Sequence, residues 1–71
     1  MHRTSDLLAI GRRIRQLRGQ QRQDAVAAQL GVTTDKLSKI ERGKTAPSIE
    51  VLLRLREAFG KSVDWILTGQ E

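Results

Sequence analysis

The stretch Gln23-Asp24-Ala25-Val26-Ala27-Ala28-Gln29-Leu30-Gly31-Val32-Thr33-Thr34-Asp35-Lys36-Leu37-Ser38-Lys39-Ile40-Glu41-Arg42-Gly43 decides the fold of this chain. Val26, Ala27 and Leu30 recur at helical spacing, and the alanines around them are small enough for another helix to pack closely. Gly31 supplies the left-handed residue that a helix C-terminus often requires, and Val32 gives the turn an apolar anchor. Thr33 then caps a second helix, with Asp35 in its first turn and Leu37 and Ile40 facing inward, and Gly43 closes it. Two short helices joined by the turn Gly31-Val32-Thr33 are therefore expected.

Working outward, Ser5 is the cap expected for the first helix, with Asp6 at its positive end. Leu7, Ile10, Ile14 and Leu17 follow at spacings of three and four and share one face, which leaves arginines on the other sides. Downstream, Lys44-Thr45-Ala46-Pro47 is a loop, because Pro47 cannot sit in a helix interior and biases Ala46 towards an extended backbone. Ser48 caps a fourth helix whose inward positions are Ile49, Leu52, Leu55 or Leu53, and Phe59, ending at Gly60. Ser62 caps a last helix from Val63 to Leu67, closed by Gly69, and Trp65 reads as core in preference to a dimer surface. Strand signals are nearly absent. The expectation is an all-α fold of five short helices, one domain over residues 1–71.

Composition narrows the function. The chain has no cysteine, which rules out disulfides and thiolate metal sites, and its one histidine, His2, reads as part of a frayed terminus. No apolar run reaches the ~18 residues needed to span a bilayer, and no signal segment is evident, so the expected compartment is the cytoplasm, in association with the nucleoid, with no membrane partner. The net charge of +5 is uneven: residues 1–22 carry six arginines against Asp6, while the remainder balances. A basic excess favours a polyanionic partner, although a solvated helix face has the same composition.

Residues 23–42 specify the partner more closely. In a helix-turn-helix the first helix braces against the DNA backbone while the second enters the major groove. The second helix needs a polar face that reads base edges and an apolar back that holds it in place. Thr34, Asp35, Ser38 and Lys39 form such a face, and Leu37 and Ile40 form the back.

From Ile10 to Gly69 the sequence resembles the Cro/cI (XRE-like) helix-turn-helix repressors. The matching pieces are Ile10-Gly11-Arg12-Arg13-Ile14-Arg15-Gln16-Leu17-Arg18, Gln23 with Val26-Ala27, Leu30-Gly31-Val32-Thr33, Leu37-Ser38-Lys39-Ile40-Glu41-Arg42-Gly43-Lys44, Pro47-Ser48 with Ile49 and Leu52-Leu53, and Ser62-Val63-Asp64-Trp65-Ile66-Leu67-Thr68-Gly69. The resemblance implies a lambda-repressor-like DNA-binding domain. It implies that Gln23 bonds a DNA phosphate at the start of the bracing helix, where free backbone N–H groups attract anions. Thr34, Asp35, Ser38 and Lys39 match base-facing positions, with Thr33 and Lys36 completing the set at that end of the helix. Arg42, Lys44 and Thr45 match the loop along the DNA backbone, and Arg18 and Glu41 match an internal salt bridge. Beside these stand plainer readings: Asp35 as a partner of its own helix dipole, Ser38 as a neutral surface residue, and Lys39 and Lys44 as solvated charges. Arg12, Arg13 and Arg15 read as a solvated face that adds long-range attraction.

The sequence also departs from the family pattern. The segment between Leu17 and Gln23 is about two residues shorter than usual, Gly19 falls early, and Gln21 stands where an apolar residue is expected. Arg22 takes the capping place of a Ser or Thr, which puts a charge beside the expected phosphate. Arg56 and Lys61 replace a small and an apolar residue.

The function expected is a sequence-specific double-stranded DNA-binding transcriptional regulator, a repressor binding a palindromic operator as a homodimer, with recognition helices about one DNA turn (~34 Å) apart. Alternatives are an antitoxin whose DNA binding is autoregulatory, the DNA-binding end of a longer repressor, or a helical protein–protein module. Nothing reads as an enzyme: there is no cysteine nucleophile, usable histidine or glycine-rich phosphate loop, and the carboxylates stand singly. No cofactor, metal or small-molecule ligand is expected.

Overall fold

A computed structural model describes residues 4–70 and contains α1 (Thr4–Arg18), α2 (Gln23–Leu30), α3 (Thr34–Glu41), α4 (Ile49–Phe59) and α5 (Val63–Thr68). The all-α architecture of five short helices is as expected. His2 lies outside the described residues. Helix α1 is described from Thr4, so Ser5 lies within it instead of capping it. The other caps fall where the sequence puts them. The side chains of Thr33, Ser48 and Ser62 accept hydrogen bonds from the backbone N–H of Lys36, Val51 and Trp65, at 3.0, 3.1 and 3.0 Å. Each satisfies a donor that the first helical turn would otherwise leave open.

The turn between α2 and α3 depends on Gly31, whose φ of 74° is costly for a residue with a Cβ. Its N–H donates to the Ala28 carbonyl, and Val32 N–H to that of Ala27, which closes the end of α2. The chain leaves this turn extended at Thr33 and enters α3 at once.

The core is built from Ile10 and Ile14 of α1, Val26, Ala27 and Leu30 of α2, Leu37 and Ile40 of α3, Val51, Leu52 and Leu55 of α4, and Ile66 of α5. Leu7, Leu17, Val32, Phe59, Val63 and Trp65 pack around it. Helix α3 rests on α1 and α2, while α5 bridges α1 and α4. The approach of α1 to α3 is set by Gly11. A Cβ there would lie 2.5 Å from the carbonyl oxygens of both Ile40 and Glu41, so any larger residue forces the helices apart.

Helix α4 corrects the expected pattern. Ile49 is 77% exposed and Leu53 is exposed, whereas Val51 and Leu55 are buried. The buried face runs through Val51, Leu52, Leu55 and Phe59, and Ile49 falls roughly a quarter-turn away, alongside the exposed Arg56. Its three-residue spacing from Leu52 made it look inward. Trp65 is half-buried against the core, with the Lys61 ammonium 4.9 Å from its ring centroid. That stacking accounts for a lysine at a position where an apolar residue was expected.

Two substitutions check this packing by urea denaturation. Leu37→Ala is expected to cost about 2–5 kcal/mol, because it empties a fully buried site. Ile49→Ala is expected to change stability by no more than about 0.5 kcal/mol.

Candidate nucleic-acid interface

Helix α3 has two sides. Leu37 and Ile40 are fully buried, and Thr34, Asp35, Lys36 and Lys39 are exposed, with Ser38 half-buried between them. Thr34, Asp35, Ser38 and Lys39 are one and four residues apart and so lie on one side of the helix. Thr33 is exposed at the cap, and Arg42, Lys44 and the half-buried Thr45 continue from the C-terminal end. The Arg42 Nε–H donates to the Ser38 carbonyl at 3.4 Å. Gly43 and Lys44 donate to the Ile40 and Lys39 carbonyls, turning the chain so that Lys44 and Thr45 follow directly from α3.

The C-terminal end of α3 is anchored by a carboxylate. Glu41 is the buried charged residue of the described chain, with 5% of its side chain exposed. The Arg18 guanidinium holds it with two hydrogen bonds, Nε to Oε2 at 2.7 Å and Nη2 to Oε1 at 2.9 Å, and Gln23 Nε2 donates to Oε1 at 3.1 Å. The Glu41 hydrogen bonds hold the Arg18 guanidinium charged more firmly than usual, against a smaller opposing effect of burial. The ion pair between Arg18 and Glu41 thus stands as the resemblance implied. The contact with Gln23 was not foreseen; it brings the start of α2 to the end of α3.

Arg18 also accounts for the shortened connection between α1 and α2. Its Nη1 donates to the Gln21 carbonyl at 2.9 Å, Gly19 N–H to that of Arg15, and Gln21 N–H to that of Arg18. Arg22 occupies the N-cap of α2 without a side-chain capping bond. Its guanidinium pairs instead with Asp24, at 3.1 and 3.2 Å. These hydrogen bonds raise the Arg22 pKa and hold the Asp24 carboxyl below the usual carboxylate value. Both residues are exposed.

Two further ion pairs were not read from the sequence as such. Lys39 Nζ lies 3.2 Å from Asp35 Oδ2, and Arg54 Nη2 lies 2.8 Å from Glu50 Oε2, both one helical turn apart. The first joins two residues expected to face bases; its signal was the acid-to-base spacing of four. Arg13 corrects the expectation of a wholly solvated arginine face on α1. Its Nε and Nη2 donate to the Ile66 and Leu67 carbonyls at 2.8 and 2.9 Å, satisfying the end of α5. Arg12 and Arg15 are exposed as expected. Among the described residues no helix is long and apolar enough to cross a membrane, and no group of His, Cys, Asp and Glu is arranged to hold a metal ion.

A buried apolar back, a polar side and a tight glycine turn between two short helices define a helix-turn-helix. A family model described as Helix-turn-helix matches residues 12–66, and the chain belongs to this family, in its Cro/cI-like (XRE-like) group. Among solved structures it is similar to the P22 c2 repressor protein in complex with synthetic operator 9T, with 38% identity and a TM-score of 0.80 over 86% of this chain and 96% of that one. No curated protein sequence matches the chain. Family and fold are those of DNA-binding regulators.

Removing Glu41 tests the anchor. Glu41→Ala strands the largely buried Arg18 and is expected to cost about 2–4 kcal/mol, somewhat below a fully buried pair because Arg18 still reaches water. Asp24→Ala, which breaks an exposed pair, is expected to leave the melting temperature unchanged.

Proposed function

We propose that this protein is a sequence-specific double-stranded DNA-binding transcriptional repressor, acting in the cytoplasm at the nucleoid with α3 as its recognition helix. One observation carries the reading: α3 buries Leu37 and Ile40 while keeping Thr34, Asp35, Ser38 and Lys39 on its outer side, within the family of the operator-bound P22 c2 repressor. A helix arranged in this way can enter a major groove without giving up its packing on the domain.

In this reading α2 lies across the DNA backbone. Gln23 and the N-terminal end of α2 receive one phosphate, beside Arg22. Thr33, Thr34, Asp35, Lys36, Ser38 and Lys39 meet base edges and the adjoining sugar-phosphate, and Arg42, Lys44 and Thr45 follow the backbone beyond the helix. Glu41 and Arg18 position Gln23 and the end of α3 without touching DNA. The protein works as a homodimer on a palindromic operator, which doubles the contact and fixes half-site spacing near one turn of the duplex. It is a binding protein with no catalytic residues, and residues 1–71 act as one domain. The excess of positive charge supports association with a polyanion, and its measure is salt dependence.

Duplexes selected from a random pool and titrated with the protein at several salt concentrations test this reading. The expected result is a palindromic consensus and an affinity that falls steeply with salt; salt-independent binding, or no enrichment, would overturn it. Lys44→Ala is expected to weaken all duplexes alike and to reduce the salt slope by about one, whereas Lys39→Ala should also relax preference at particular base pairs.

A further inference from the structure

We propose that Asp35 is a specificity-determining residue that works by exclusion: it offsets the charge of Lys39 and penalises duplexes that offer its carboxylate no donor. The inference rests on the reading that α3 faces the major groove.

Asp35 and Glu41 are the two carboxylates of α3, and Glu41 is buried under Arg18 and Gln23. Asp35 is therefore the negative charge this helix presents outward, with its side chain 76% exposed. It sits one turn before Lys39 and pairs with it at 3.2 Å. Lys36, Arg42 and Lys44, on the same helix and the loop after it, form no salt bridge among the described residues. The helix thus carries one cation whose charge is matched locally among others that are not.

A pair this exposed opens readily, so it does not lock Lys39 in place. Its effect appears at the DNA surface. On an arbitrary duplex, Lys39 either stays with Asp35 and neutralises no phosphate, or leaves and strands a carboxylate in the strongly negative potential of the groove. Both outcomes lower the affinity for random DNA. A duplex presenting the N4 amino group of cytosine to Asp35, and O6 and N7 of guanine to Lys39, satisfies both partners at once. Side chains four residues apart on a helix are about 5–6 Å apart at Cβ, which spans one or two base pairs. The preferred site therefore carries a G·C pair, or two adjacent ones, beneath this turn of α3. Discrimination arises from the repulsive element together with the attractive one.

Asp35→Asn tests this, because it removes the charge at nearly constant size. Affinities of wild type and variant are measured for the selected duplex and for a scrambled duplex across a salt series, with folding checked by thermal melting. The expected result is a gain of about three- to tenfold on scrambled DNA and a salt slope steeper by about 0.9, as Lys39 becomes free to meet a phosphate. The selected duplex should gain nothing, so the ratio of the two affinities falls. Lys39→Ala in the Asp35→Asn background is expected to abolish the gain, and Asp35→Glu, which keeps the charge, to preserve the low affinity for scrambled DNA. A merely structural role at the helix N-terminus would lower the melting temperature and shift both duplexes by the same factor, and that result overturns the proposal. A consensus without a G·C pair under Asp35 and Lys39 overturns it as well. If wild type binds no duplex with salt dependence, the DNA-binding reading itself fails; if it does and only the ratio is unmoved, the failure belongs to Asp35 alone.

Discussion

The carboxylate of Glu41 joins three helices. It receives Arg18 from the end of α1 and Gln23 from the start of α2, and it belongs to the last residue of α3. A buried charge with its partners in place contributes little net stability, but it is severe with any arrangement that separates them. The three helix ends must therefore meet at one point. Apolar contacts from Leu37 and Ile40 hold α3 on the domain without fixing its rotation closely, since greasy surfaces tolerate small slips. The directional bonds to Glu41 add that restriction. Arg18 extends it by bonding the Gln21 carbonyl, so one guanidinium sets both the seat of α3 and the path of the short connection before α2.

The basic excess in the first 22 residues divides into two uses. Arg13 and Arg18 are spent internally, one on the carbonyl end of α5 and the other on Glu41. Arg12 and Arg15 remain exposed, and Arg22 is exposed while paired with Asp24. The field felt at a distance is the sum of all of them, because internal bonding leaves the charge of an arginine in place. In the proposed function, local contacts come from a smaller set on α3 and the loop after it. Long-range attraction and close reading are thus assigned to different parts of the chain.

Much of this was legible in the sequence, and the parts that were not share a cause. Helix positions followed from the spacing of Val26, Leu30, Leu37 and Ile40 and from the caps Thr33, Ser48 and Ser62, all of which are local relations along the chain. The exposed face of α3 follows from the same spacing. A helix with apolar residues on more than one side does not say which side its neighbours cover, so spacing alone turns Ile49 inward and leaves Val51 out of the core. Arg13 and Gln23 find their partners 53 and 18 residues away, across contacts that exist only after folding. The pairing of Asp35 with Lys39 lies within one helical turn, at the same spacing of four that puts both residues on the outer side of α3.

Gly11 has a mechanical meaning. Because main chain meets main chain where α1 crosses the end of α3, no flexible side chain lies between them to be compressed or repacked. The distance between the two rods is then a fixed gauge, and the Glu41 end of α3 has no room to settle closer to α1.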